Sequence, residues 1–253
     1  MVSPYQNSCQ IFSSKEIKSL RIGGKILHDC LVHVAALVRP GITTIELDKA
    51  AEEFIKGRGG KPAFKGYHNY PATLCTSIND VCVHGIPGEE ALEEGDIIAL
   101  DCGVLYDDLY TDACITVPVG KVSKEAEKLI SATEEALKIG LGKARAGAKT
   151  GDISSAIHGI LLERGFDAMR QLTGHGLGDD LHQFPEIPNI GTAGKGAELP
   201  MNTIIAIEPI STAGSTKIKE DGDGWTLRTS DHALSAHFEH TVLVTEAGYQ
   251  ILT

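Results

Sequence analysis

The chain is poor in aromatic residues, 5% with a single Trp, and its six cysteines form no CxxC pair. It has no Asn-x-Ser/Thr acceptor, and no apolar run in it approaches the roughly 20 residues of a membrane span. The opening MVSPYQNSCQIFSS lacks both the basic start and the apolar core of a secretory signal. A disulfide framework, a Cys-based zinc module and a membrane protein are thereby disfavoured, and a reduced, cytoplasmic setting is expected. No Pro/Ser-rich linker or low-complexity stretch divides the 253 residues, so a single domain with one substantial core is expected. Positive charge is also in deficit: the formal net charge of −11 argues against a nucleic-acid partner. The same excess of acid would not repel a substrate with a cationic amino terminus.

What the chain has in plenty is acid inside apolar strands. The stretch from Ile97 to Val119, IIALDCGVLYDDLYTDACITVPV, reads as two β-branched runs around a turn at Tyr106-Asp107-Asp108. Each run carries one acid, Asp101 before the turn and Asp112 after it. A two-residue loop is expected to set 101 opposite 112, with Cβ atoms about 5 Å apart on one face. Two carboxylates that close repel, and apolar surroundings make their charges costly unless a cation sits between them.

The second half repeats the arrangement. Ile97-Ile98-Ala99-Leu100-Asp101 returns as Ile204-Ile205-Ala206-Ile207-Glu208, and Asp112 in DACITV returns as Glu239 in EHTVLV. His84-Gly85-Ile86-Pro87 returns as His182-Gln183-Phe184-Pro185. Each half is expected to run helix, helix, strands, and two such halves about a pseudo-twofold axis would bring four carboxylates to one place.

The helices have local signatures. Ser13-Ser14-Lys15-Glu16 is a capping box, and Ile17, Leu20, Leu27, Leu31 and Val34 continue at helical spacing towards a stop at Pro40-Gly41. Gly23-Gly24 inside this helix lowers its propensity by about 1 kcal/mol each and implies close packing. Thr43 to Glu46 opens a second helix, and the pair recurs at about 124–139 and 152–163. All four are expected to cover a curved sheet.

Between the second helix and the first strands, Tyr67-His68-Asn69-Tyr70-Pro71-Ala72-Thr73-Leu74-Cys75 gathers aromatics and a thiol suited to an apolar side-chain pocket. Thr173-Gly174-His175-Gly176-Leu177-Gly178-Asp179-Asp180-Leu181-His182 is the densest chemistry in the chain. Its glycines would let the backbone pass close to an ion or substrate, and His182 can reach the same cavity as His175 from a loop. As a phosphate loop it is weak, because the lysine such loops use is missing. Four carboxylates and one imidazole, without thiolate, suit two divalent first-row ions. Two ions about 3.5–4 Å apart can acidify a water and polarise a carbonyl together, which is the chemistry of acyl-bond hydrolysis.

YHNYPATLCTSINDVCVHGIP, ALDCGVLYDDLYTDACITV, GHGLGDDLHQFPEIPN, IIAIEPI, DGWTLRTSD and SAHFEHTVLVTEAG together resemble the type I methionine aminopeptidases, members of the pita-bread metallopeptidases. The likeness runs from about Ser14 to the C-terminus, giving residues 1–13 as an N-terminal extension and 14–253 as one catalytic domain. The resemblance implies an α+β pita-bread fold, with pseudo-twofold halves and a curved antiparallel sheet covered by helices. It implies that Asp112 and Glu239 bridge two divalent ions (Co, Mn, Fe or Zn), that Asp101 holds one, and that His175 with Glu208 completes the other. Glu208 would also relay a proton. His84 and His182 would hydrogen-bond the scissile region and its carbonyl oxygen, and Tyr67, Tyr70, Cys75 and Trp225 would line the methionine pocket. A monovalent cation, often held in this family by main-chain carbonyls, would map to Asn79, Val81 and Ser235. The implied partner is the N-terminal methionine of nascent peptides, preferring a small second residue, with the ribosome as an optional contact; no membrane or nucleic acid is implied, and a monomer is expected.

The sequence departs from the family at several places. Leu181 stands where an aromatic is common, Phe64 and Asn69 replace smaller residues usual near the pocket, and His237 stands where Gln is common. No implied ligand is lost. A Xaa-Pro aminopeptidase or prolidase of the same fold would share these ligands, but usually carries a large extra N-terminal domain. A non-catalytic relative would be expected to have lost ligands. A mononuclear oxygenase using His175, Glu208 and His182 would leave Asp101, Asp112 and Glu239 without a purpose.

Overall fold

In the computed structural model, which describes residues 8–253, Ser13 caps the first helix as its sequence predicts: its backbone N–H donates to Glu16 Oε2 at 2.7 Å and its hydroxyl accepts from the Glu16 N–H. The first seven residues of the expected extension lie outside the described residues. Within 8–13, Phe12 is fully buried against Ile17, Leu20, Leu177 and Ile204, and Gln10 accepts a hydrogen bond from Gln183 at 2.8 Å. Helix α1 (Ser14–Ala35) ends before Pro40-Gly41. The backbone tightens first, with Leu37 donating to Val34 and Val38 to Ala35, because the residue before a proline is disfavoured in helical geometry. Gly24 is packed as expected: a Cβ there would overlap the carbonyl of Leu252.

Helices α2 (Thr44–Gly57), α3 (Lys124–Leu141) and α4 (Thr150–Glu163) complete the cover. The first pair packs on one half of the sheet through Leu27, Leu31, Leu47 and Ile55, the second on the other half through Leu137, Ile153, Ile157 and Leu161. Apolar residues at helical spacing turn one face of each inward and leave the charged face in water.

The sheet explains the sequence repeat. Its central strands are β1 (Leu74–Ile78), β2 (Ile97–Tyr106), β3 (Leu109–Pro118), β4 (Thr173–Gly176), β5 (Gln183–Pro188), β6 (Ile204–Ile207) and β7 (Glu239–Val244). Antiparallel pairing runs β1-β2-β3-β7-β6-β4-β5, with Lys61–Pro62 added to β2 and Tyr249–Ile251 to β7. The pair β3-β7 lies at the pseudo-twofold: β2 flanks β3 as β6 flanks β7, and β1 flanks β2 as β4 flanks β6. Glu239 pairs with Cys114, while Thr241 brackets Asp112, accepting from its N–H at 2.9 Å and donating to its carbonyl at 2.7 Å. The fold is the α+β pita-bread arrangement that the resemblance implies. No helix among the described residues is long and apolar enough to cross a membrane.

Candidate metal centre

The hairpin joining β2 and β3 sets the first two acids, with its turn one residue and its pairing two residues away from the sequence expectation. The two-residue loop is Asp107-Asp108, both left-handed at φ 52° and 59°, so Tyr106 pairs with Leu109. This is the primed turn whose twist suits a hairpin, and Asp tolerates its positive φ. Asp101 therefore faces Cys114, and Asp112 faces Gly103. The acids are diagonal neighbours on one face rather than direct partners, and Gly103 leaves room for the wall above: a Cβ there would lie 2.7 Å from the Phe64 ring.

The other half supplies the rest along the same row. Glu239 opens β7 opposite Cys114, Glu208 follows directly on β6, and His175 on β4 pairs with Ala206, two residues from Glu208. Asp112, His175 and Glu239 each offer a ligand atom within 4.8 Å of the others. His175 Nε2 lies 3.5 Å from Glu208 Oε1. The ring's Nδ1 is 3.0 Å from the Gly176 carbonyl, which can only accept, so Nδ1 carries the proton and Nε2 presents a lone pair to the acids. The glycines beside His175 serve a different end from the one their sequence suggests. A Cβ on Gly176 would overlap the Phe184 carbonyl, and one on Gly174 would lie 2.5 Å from the Ala206 carbonyl, so they let β4 pack against its neighbours and hold His175 in place.

Asp101, Asp112, Glu239 and His175 are all buried, and no Lys or Arg lies among the residues lining their cavity. Burial pushes the Asp101 carboxyl up to about 7. Burial first, then the neighbouring acids, raises Asp112, Glu208 and Glu239 well above the ordinary carboxylate range. Burial lowers His175 to about 4, so its imidazole is neutral near pH 7; crowding by the cavity wall and the neighbouring imidazoles also lowers His182, although its side chain reaches solvent. Asp101 Oδ1, Asp112 Oδ1 and Glu239 Oε1 are buried without a hydrogen-bond partner. Buried carboxylates of one sign, orphaned oxygens and a neutral imidazole aimed at them fit a divalent cation, which would supply the missing positive charge.

The sign of this burden is testable without substrate. A carboxyl whose folded pKa is raised contributes stability below its unfolded value and loses it as pH rises through the folded value. The histidines act oppositely, but their contribution is complete about one unit above the ordinary value of 6.5. Above about pH 7.5 the raised acids dominate, so the metal-free protein is expected to melt lower at about pH 8.5 than at about pH 7.5, and a divalent ion to raise the melting temperature more at the higher pH. A flat or rising profile in chelator would show that the acids are not mutually repelling.

The residues expected as divalent-metal ligands, outer histidines and methionine-pocket wall all line this one cavity, whereas Asn79, Val81 and Ser235 do not. His84 reaches it from a left-handed backbone (φ 61°), with its ring centroid 6.2 Å from that of Trp225. The rings of His182 and His175 are 4.4 Å apart, and His182 Nδ1 lies 3.4 Å from the Tyr67 hydroxyl, which donates to Asp180 Oδ1 at 3.2 Å. Tyr70 meets Trp225 edge-on at 5.1 Å and anchors its hydroxyl on the Leu74 carbonyl at 2.9 Å. With Tyr67, Cys75, Phe64 and Leu181 they form an apolar compartment beside the acids. Asn69 does not line the cavity; it occupies a left-handed turn position (φ 72°) that suits Gly or Asn and explains why a smaller residue is usual there. The sequence reading treats His237 only as a departure, yet it lies in the cavity wall. Its signal was the spacing: two residues before Glu239 on an extended chain means the same face.

The site has the company its sequence suggests. The model of metallopeptidase family M24 matches residues 18–246. A methionine aminopeptidase of Clostridium perfringens (strain 13 / Type A) is 45% identical over 241 residues, covering 95% of this chain and 97% of that protein. The crystal structure of methionine aminopeptidase from Rickettsia prowazekii superposes with a TM-score of 0.95 at 36% identity, covering 97% of this chain and 99% of that one. Prolidase from Pyrococcus furiosus shares the fold at a TM-score of 0.77 and 23% identity, but this chain covers only 65% of it. The family match over most of the chain and the paired halves converging on one acid-lined cavity agree: this chain belongs to metallopeptidase family M24.

Proposed function

We propose that this chain is a methionine aminopeptidase that removes the initiator methionine from nascent proteins and peptides. The observation that carries the reading is the apolar compartment of Tyr67, Tyr70, Cys75 and Trp225, which shares one cavity with the acid row and so can seat an apolar first side chain beside the reacting centre. In this reading Asp112 and Glu239 would serve both of two divalent ions, Asp101 would help to hold one, and His175 with Glu208 the other; the metal would supply an acidified water and a polarised carbonyl.

The chain's own groups do the rest. Glu208 takes a proton on its carboxylate and returns it to the leaving amine. His84 hydrogen-bonds the scissile region and His182 the carbonyl oxygen, stabilising charge that grows during addition. The rings around the methionine side chain fix the first residue of the substrate, and the walls formed by Leu181 and His182 favour a small second residue. Asn79 and Ser235, joined by an N–H to carbonyl bond of 2.8 Å, are candidates with Val81 for holding a monovalent cation. We further read 14–253 as one catalytic unit acting as a cytoplasmic monomer; its five free thiols, with Cys9 before it, suit a reducing compartment.

The test uses the protein stripped of metal and reloaded with Co, Mn, Fe or Zn, then given short peptides beginning Met-Ala, Met-Lys and Ala-Pro. Release of methionine from Met-Ala far above the other two is expected. Cleavage of Ala-Pro alone would transfer the chain to the proline-directed branch of the fold. Leu181→Phe, in a position 1% exposed within the pocket cluster, is expected to alter preference among Met-x peptides while leaving metal affinity in place. An unchanged specificity profile would remove Leu181 from the pocket.

A further inference from the structure

We propose that His237 is a further metal ligand, giving this chain a second imidazole that approaches the acids from the side opposite His175. The proposal deepens the metal reading above and rests on it.

His237 is held rigidly. Its N–H donates to Thr116 Oγ1 at 2.9 Å, and its carbonyl accepts from the same hydroxyl at 2.7 Å. It ends the strand Ser235–His237 and stands two residues before Glu239, so the extended chain sends both side chains into the cavity. The ring is 2% exposed, and its Nε2 is buried with no hydrogen-bond partner. That atom lies 3.5 Å from Glu208 Oε2 and 3.9 Å from Glu239 Oε2.

These separations are too long for hydrogen bonds, which fall at about 2.7–3.2 Å. They are near the spacing of two donors on one ion, because bonds of about 2.0–2.2 Å at 90–110° place donor atoms roughly 3.0–3.5 Å apart. Glu208 has the same relation on its other oxygen, with His175 Nε2 at 3.5 Å from Oε1. Its carboxylate is thus flanked by two imidazole nitrogens at ligand–ligand distance. A buried ring nitrogen left without a partner is costly, and an ion between Glu208 and Glu239 would remove that cost by taking the Nε2 lone pair, with the ring proton on Nδ1. The amide common at this position in the resembling family could not supply an imidazole. A second imidazole shifts the donor set from oxygen towards nitrogen, favouring Co and Zn over Mn.

The test is spectroscopic. In the cobalt-loaded full chain, proton NMR is expected to show two exchangeable, strongly shifted imidazole N–H resonances, and H237Q one. Calorimetry is expected to show cobalt and zinc binding weakened by on the order of ten- to a hundredfold in H237Q, with manganese binding changed less. One shifted imidazole in the unsubstituted protein, with tight binding retained, would overturn the assignment and leave the metal reading standing. That measurement needs no variant to fold. Absence of any bound ion would defeat both.

Discussion

Asp112→Asn is expected to lose turnover and metal loading together. The substitution keeps the side chain's size, and Thr241 still holds the backbone on both sides, so β3 and β7 stay paired. What disappears is one negative charge at the point where Asp101, Glu208 and Glu239 already repel it. Without an ion that repulsion is a burden, so the metal-free variant is expected to be as stable as the parent or more so. With an ion it was the attraction that held the metal, so both loading and rate fall, the rate by at least about three orders of magnitude. Metal content after dialysis, kcat on a Met-Ala peptide and chelator-treated melting temperature separate the effects. Near-normal turnover would show that Asp112 does not bridge.

His84→Ala is expected to divide those outcomes. His84 lies outside the acid row, on the wall shared with Trp225, so metal content is expected to be unchanged. Burial lowers its pKa, which keeps the imidazole neutral and able to donate one hydrogen bond to the substrate without carrying a charge. Its left-handed backbone is a strained conformation for a residue with a side chain, of the kind a fold retains to aim a working group. Removing that donor is expected to cost about two to four orders of magnitude in kcat, with KM changed much less. A variant with full metal and an undiminished rate would dismiss the contact.

Much of this site was legible in the sequence because its acids sit in apolar strands. Asp101, Asp112, Glu208 and Glu239 sit in or at the ends of mostly apolar strand runs, which disfavours a solvent-facing reading, and the repeat of the strand motif states that two halves present them alike. The capping boxes at Ser13 and Thr43 were equally visible, since a cap is completed within a few residues. The neutral state of His175 was not, because it depends on the Gly176 carbonyl and on the burial that three strands impose.

The sequence by itself determined which face each strand turns inward, where the helices begin and which side chains have the chemistry to hold a cation, since these follow from alternation, local capping and residue type. Only the tertiary structure decided that the hairpin turns at Asp107-Asp108 and faces Asp112 with Gly103, that Asn69 stands outside the cavity and that His237 stands in it. The physical reason is that a period of two fixes the side of a strand but not its partner. Partners are chosen by turn geometry and by the packing of segments more than a hundred residues apart, and the energy of a buried charge belongs to that assembled neighbourhood rather than to its own stretch of chain.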